Sequence, residues 1–396
     1  MKRGSVRLTA AVLASLALLS KARGQDVEAV EVTGDPVHLL ETGASDAAFG
    51  LDLPLLETSR SVTLVSDTTI DRYGIVGVND LIAVTPSAYT ASYYGVEGAV
   101  SLRGTLAENY FQGFKRVENR GTYTTPLSDA AELEIVRGPP SPIYGAGKVG
   151  GLVNFLPKTA DDSDSFGGDV TLTYGSYSKR NLTAQLSDPV TIGDANGAVH
   201  LYGELDDSFS YYRGIHPSHQ LVEFSSALTQ GAWSFSADYM YYHSNGDVQT
   251  PGWNRLTQAL IDSGTYITGR NTSLQDTDHN GFLTLDEFGG NPYTGQGNFQ
   301  PLACAGCEDA AHQLDTGVGT TIISRRTIYI AKGVDFSDTI THTAFLEAAN
   351  DLGQGQTLRL QLFGDVLQND RFVSYGFPGS YRTQIGEARL RYDLER

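Results

Sequence analysis

The sequence predicts a mainly β protein, with an N-terminal α+β domain followed by part of a transmembrane antiparallel β-barrel. Three observations lead there. From Phe166 onward, apolar and polar residues alternate in segments of about ten residues joined by short polar turns. Ahead of them, Glu132–Lys158 reads as strand, Gly-Pro break, small-residue turn and second strand. At the front, residues 1–24 have the layout of an export signal. Composition agrees: 44 Gly and 21 Tyr in 396 residues, with 19% charged residues, are the usage of an all-β chain. The net charge of −18 disfavours nucleic acid and anionic membrane surfaces as partners.

Taken in order, Lys2, Arg3 and Arg7 form a basic n-region, and Leu8–Leu19 is an apolar run too short to span a bilayer. Ala22-Arg23-Gly24 places small residues where a signal peptidase reads, so the mature chain is expected to start near Gln25. Removing five basic residues and no acids would take the net charge from −18 to −23. Residues 25–60 hold an alternating segment, Glu28-Ala29-Val30-Glu31-Val32, and a linker without period. The alternation suits a donor strand added to another protein's sheet edge, with backbone bonds giving affinity and the valines register.

Residues 61–158 form the α+β domain. Ser61–Val65 is β-branched and alternating, and Asp67–Tyr73 and Val78–Val84 suggest short helices before Thr85-Pro86. Strand Ala99–Leu102 delivers Arg103. Four glycines in seven residues (Gly145, Gly147, Gly150, Gly151) imply close backbone approach. Gly147-Lys148 does not open a phosphate loop: Pro142 stands where that motif needs Gly, and Val149 where it needs Ser or Thr.

Glu134-Ile135-Val136-Arg137-Gly138-Pro139, then Tyr144-Gly145, then Gly150-Gly151-Leu152-Val153-Asn154 resembles the end of the plug domain of TonB-dependent outer-membrane receptors. Ser101-Leu102-Arg103-Gly104 is similar to that family's upstream Arg-Gly motif, and Gln112-Gly113 stands where the family usually has Asp-Gly. The resemblance implies that Glu28–Val32 is the box that pairs with a TonB-type periplasmic coupling protein. It also implies that Arg103 and Arg137 pair with barrel glutamates and lock the plug. Tyr89, Tyr93, Tyr94, Tyr110 and Phe111 fit a ligand-contacting plug apex, with ordinary packing against the barrel wall as the alternative.

Residues 166–396 carry the barrel pattern. Val170, Leu172 and Tyr174 alternate with polar residues, as do Leu182, Ala184 and Leu186, then Trp233 to Tyr241, then Leu358 to Leu362. A soluble sandwich would alternate likewise; the export signal and the plug favour a barrel with lipid outside and an aqueous lumen. Nine or ten candidate strands are too few to enclose a plug, since barrel diameter grows with strand number. The resembling family uses 22 strands and a terminal aromatic, so the sequence is expected to be an incomplete chain.

Residues 244–318 interrupt the pattern and are expected to be a long extracellular loop. Within it, Asp276, Asp278, Asn280, the Phe282 carbonyl and Glu287 stand at the calcium-ligand positions of an EF-hand loop, with Gly281 at its turn. Phe288-Gly289-Gly290-Asn291-Pro292 cannot start a second helix, so calcium would order the loop rather than switch it. Cys304 and Cys307 fit one small disulfide in an exported protein; metal or redox chemistry is the alternative, for which His312 leaves an incomplete ligand set.

No catalytic constellation occurs: the eight histidines are scattered, without H-E-x-x-H or G-x-S-x-G, so the chain is not expected to be an enzyme. The resemblance implies import of a scarce ligand across a bacterial outer membrane on proton motive force. A ferric siderophore is the favoured ligand, with cobalamin, haem, oligosaccharide or peptide as alternatives. Other classes are a passive porin, an adhesin or a truncated remnant. The stretch before the plug is too short for a packed signalling domain.

Overall fold

A computed structural model describes residues 44–45, 50, 53–57, 59–93, 96–119, 121–145, 147–159, 165–248, 258–267, 320–326, 334–373 and 378–394. The export signal, the Glu28–Val32 segment, Tyr94, the Asp276–Glu287 loop and both cysteines lie outside these residues. The fold is mainly β, an α+β plug seated on a long antiparallel sheet.

The plug begins with β1 (Ser61–Ser66) and α1 (Asp67–Tyr73). Ser66 caps α1 by accepting from Thr69 N at 3.4 Å, and Gly74 ends it in the left-handed region at φ 64°. The second expected helix, Val78–Val84, is one 3-10 turn, Asp80–Ala83. Asp80 Oδ2 accepts from Val76 N and Gly77 N, and Pro86 follows, which leaves no room for a longer helix. A meander follows: β2 (Ala88–Tyr93), β3 (Val96–Leu102) and Thr105–Leu106.

The central plug sheet adds β4 (Glu108–Phe111), β5 (Phe114–Lys115), β6 (Ala130–Arg137) and β7 (Gly151–Pro157), in the order β1-β6-β7-β4-β5. The β4–β7 pair is parallel, and the others are antiparallel. The Glu132–Lys158 stretch supplies the two middle strands, β6 and β7. Gly151 is required there: at φ +138° its missing Cβ would lie 2.0 Å from the Val136 carbonyl oxygen.

The wall is one eight-stranded antiparallel sheet in chain order. Its strands are β8 (Gly167–Gly175), β9 (Lys179–Ile192), β10 (Ala195–Asp207), β11 (Ser218–Gln230), β12 (Trp233–Gly246), β13 (Phe336–Gly353), β14 (Gln356–Phe372) and β15 (Gly379–Leu394). The alternation read in the sequence separates its two faces. On β10, His200 and Tyr202 are buried toward the plug, whereas Leu201 between them is 46% exposed. Leu182, Leu186, Val222, Phe224, Phe235, Leu346, Leu360 and Leu362 continue that apolar outer face.

Gly193, Gly231 and Gly353–Gly355 make tight turns at one end of the wall; at the other end the 3-10 turn Ser176–Ser178 joins β8 to β9, and longer connections join β10 to β11, β12 to β13 and β14 to β15. The longest connection extends beyond its expected limit at 318. Thr320–Ile322 pairs with Thr265–Ile267 inside the excursion, and the wall resumes only at Phe336, where sustained alternation returns. Plug residues Leu102, Phe111, Phe114, Ile135 and Phe155 share one buried cluster with wall residues Tyr202, Met240, Phe345, Phe363 and Leu367. Among the described residues, no helix is long and apolar enough to cross a membrane, which says nothing of a β-barrel.

Candidate functional site

The seam between plug and wall is built mainly by residues 112–129, which follow β4. Gln112 and Gly113 form the β4–β5 turn with φ of 47° and 76°, the left-handed pair that a tight hairpin requires. Gly113 N donates to Asn154 Oδ1 at 2.8 Å, and Asn154 Nδ2 donates to Glu134 Oε2 at 2.6 Å, so β7 fixes the turn. Gln112 Nε2 then donates to wall residue Asp238 at 2.7 Å. An aspartate there would set one carboxylate against another. The Gln-Gly departure from the family's Asp-Gly therefore complements this wall.

Arg389 on β15 grips the same turn from the wall. Its Nη1 donates to the Gly113 carbonyl at 3.0 Å, and its guanidinium lies 3.7 Å from the Phe114 ring centroid. Arg116 reaches the other way and is buried in the seam. Its Nη2 donates to Thr343 Oγ1 at 2.7 Å and lies 3.5 Å from Asp365 Oδ1, while Val117 N donates to Asp365 Oδ2 at 2.7 Å. Further along, the Thr122 carbonyl accepts from Ser337 Oγ and Thr339 Oγ1 at 3.0 and 2.7 Å.

This segment keeps its shape through Asn119, which bonds Gly98, Thr122 and Tyr123. Only glycine fits at position 98, because a Cβ there would stand 2.3 Å from Gly121 N and 2.4 Å from the Asn119 carbonyl. At the end of the seam, His200 Nε2 meets Asp129 Oδ2 at 3.1 Å, and Ser187 Oγ fixes His200 Nδ1 at 2.9 Å. Ser225 Oγ donates to the Lys158 carbonyl at 2.7 Å, beside the Lys158 N bond to the Asp129 carbonyl. The plug is thus held both at its 112–125 strap and where its chain passes into the wall.

The residues expected from the sequence fall elsewhere. Arg103 and Arg137 do come together: Arg103 sits in a left-handed turn at φ 51°, and its Nη1 would lie 3.4 Å from a Cβ at Gly138. Arg137 donates to Ser61 Oγ at 2.8 Å and Thr63 Oγ1 at 2.7 Å. Burial, and then the Arg103 charge, lowers the Arg137 guanidinium below its ordinary range. Tyr110 and Phe111 are not at an apex. Both are 1% exposed, with Phe111 stacked on Phe155 at 5.7 Å and Tyr110 edge-on to Tyr144 at 5.8 Å, because β4 lies inside the plug sheet. Tyr89 is exposed on β2, and the Tyr93 side chain lies outside the described residues.

The description "TonB-dependent Receptor Plug Domain" belongs to the family model that matches residues 54–152. The ferrioxamine B receptor of Salmonella typhimurium is 26% identical over 173 residues, 41% of this chain and 24% of that receptor. The ferripyoverdine receptor of Pseudomonas aeruginosa is 26% identical over 225 residues, 54% of this chain and 26% of that one. Among solved structures, the P. aeruginosa ferripyoverdine receptor bound to ferripyoverdine aligns over 88% of this chain and 41% of its own, with a TM-score of 0.60 and 15% identity. The siderophore receptor PiuA of Acinetobacter baumannii aligns over 83% and 40%, with a TM-score of 0.55 and 17% identity. The chain therefore spans about a quarter of the curated relatives it matches.

Proposed function

From a chain that carries a TonB-dependent receptor plug domain at residues 54–152, seated on a wall of the siderophore-receptor fold, we propose active import of a ferric siderophore across a bacterial outer membrane. The observation that carries this reading is the seam. A globular domain fills the polar face of a long antiparallel sheet whose other face is apolar, which is the arrangement of a plugged pore in lipid. The names of the matched relatives, receptors for ferrioxamine and ferripyoverdine, support an iron chelate as the ligand.

In this reading the chelate binds at the end of the long connections, and bound and empty plug differ in affinity for a periplasmic coupling protein at Glu28–Val32. That protein pulls the plug, because the outer membrane has no energy source of its own. Force applied from the N-terminus reaches β1 first, which among the described residues is an edge strand paired only to β6. The 112–125 strap, fixed by Arg116 and Arg389, lies at the other edge of the sheet and resists. Exposed Tyr89, with Tyr93 and Tyr94, is the candidate ligand contact on the plug. Arg103 and Arg137, two adjacent cations, are disposed to take wall carboxylates. The Asp276–Glu287 segment would bind calcium in the outer loop, and Cys304 and Cys307 would form a small disulfide. No step of this role is catalytic.

Val30→Pro in the coupling segment tests the reading, since proline removes a strand donor and leaves the plug untouched. Iron-loaded desferrioxamine or pyoverdine should still bind cells carrying the variant, and uptake should cease. Undiminished uptake would count against energised import.

A further inference from the structure

Buried charge concentrates where the plug meets β10–β14. Asp129, Glu223, Asp238 and Asp365 are each at most 4% exposed, and they face one buried guanidinium, Arg116, and one imidazole, His200. Register brings the wall members onto one face: Glu223 stands opposite Tyr202 and Met240, Asp238 opposite Ser225, and Asp365 opposite Thr343. Arg116 bonds Asp365 and Thr343 through Nη2 and leaves its Nε without a partner among the described residues, His200 bonds Asp129, and Asp238 takes the neutral amide of Gln112. Glu223 shares the inward face with Ser225, whose hydroxyl holds the Lys158 carbonyl next to the Lys158 N bond to the Asp129 carbonyl, and among the described residues neither Glu223 oxygen receives a donor. Four ionised carboxylates exceed what one guanidinium and one imidazolium balance in a seam closed to water. A carboxyl so placed takes up a proton rather than remain charged.

We propose that Asp129 and Glu223 share one bound proton while the plug is seated, so that plug seating is a proton-binding step and the seam is a pH-sensitive latch. The proton gives Glu223 the hydrogen bond it otherwise lacks. Drawing the plug off the wall lets water solvate both carboxylates, and the O–H proton passes to water. Burial raises the Asp129 carboxyl above its ordinary range, with the His200 bonds offsetting part of the rise.

The plug presents Arg116, half-exposed Lys158 and, on α1, Asp67. The wall presents Asp169 on β8, Ser187 on β9, and Tyr202 and Glu204 on β10; Glu204 is engaged by Asn181 at 2.6 Å and His219 at 3.3 Å. Asp238 on β12 takes Gln112 through Oδ2 and leaves Oδ1 without a partner among the described residues, Asp365 on β14 is bonded by Val117 N, and Glu347 on β13 takes Gln361 at 2.6 Å. A cavity of about 460 Å³ is lined by Lys158, Ser187 and His200, the last of which bonds Asp129. A pair that holds its proton more tightly when seated than when solvated favours seating at low pH. That advantage is lost as pH rises through the titration of the seated pair.

Hydrogen exchange of native outer membranes from about pH 5 to 9, read as protection factors for peptides covering 108–129, tests the latch. With the solvated carboxyls titrating at about 4, one linked proton predicts a fall of about tenfold per pH unit from the acid end of this range, levelling to a plateau above the titration of the seated pair. Glu223→Gln and Asp129→Asn should abolish that slope. A flat wild-type profile would overturn the proposal even if neither variant reached the membrane, and so would an unchanged slope in Glu223→Gln. A response to sodium concentration at fixed pH, without a response to pH, would identify a metal cation instead and equally overturn it. The test reads seating alone, so its outcome is separable from whether the chain imports iron.

Discussion

Replacing Arg116 with methionine would leave the Asp365 carboxylate buried without its cation. Both side chains are 3% exposed, so solvent does not take over the role of the lost partner. The guanidinium also loses its 2.7 Å bond to Thr343, while Asp365 keeps only the Val117 amide at 2.7 Å and the Thr343 hydroxyl at 2.7 Å. Breaking a buried pair from one side costs about 3–5 kcal/mol, against at most about 1 kcal/mol for an exposed pair. Seating of the 112–129 strap should therefore weaken by roughly two to three and a half orders of magnitude. Exchange protection of that segment in native outer membranes measures it, with Asp365→Asn and the double variant completing a cycle. The double variant should recover much of the loss, because asparagine still accepts from Val117 and leaves no buried charge. A loss of about 1 kcal/mol or less in Arg116→Met, or additive single effects, would refute the claim that this pair pins the plug.

Three further outcomes follow from the same geometry. Gln112→Asp should weaken seating by about 2–4 kcal/mol at neutral pH, through the lost bond and the repulsion of Asp238, and by less at acid pH where one carboxyl is protonated; exchange at the two pH values checks this. Gly98→Ala should cost about 1–3 kcal/mol or block assembly, since its Cβ would meet backbone atoms of Gly121 and Asn119, read as plug unfolding temperature or outer-membrane yield. Calcium titrated calorimetrically into the full protein should give heat at up to about millimolar concentration, absent in Asp276→Asn/Glu287→Gln; no heat in the wild type would remove the calcium site.

The wall strands were legible because their alternation is sustained over about ten residues, and a one-residue slip would turn Leu201 inward and His200 outward. The β6–β7 stretch was legible because Gly147, Gly150 and Gly151 sit where no side chain fits. The seam was not legible. Arg116 and Asp365 are 249 positions apart, and nothing local distinguishes Arg116 from a solvated arginine. Arg103 and Arg137 stood out only because a family motif carries them. Tyr110 and Phe111 misled for a related reason: adjacent aromatics read alike at an apex or inside a sheet covered on both faces, and only the parallel pairing with β7 places them inside. Gln112 looked like drift from a motif until Asp238 was seen opposite it.

Uptake of radiolabelled iron, presented as ferrioxamine and as ferripyoverdine, tests the central claim most directly, in cells with and without the gene. The account predicts accumulation of at least one chelate that depends on the gene and stops when a protonophore collapses the inner-membrane gradient, while surface binding persists. Gene-dependent accumulation that continues after the gradient is collapsed, or no difference between the two strains for either chelate, would contradict it.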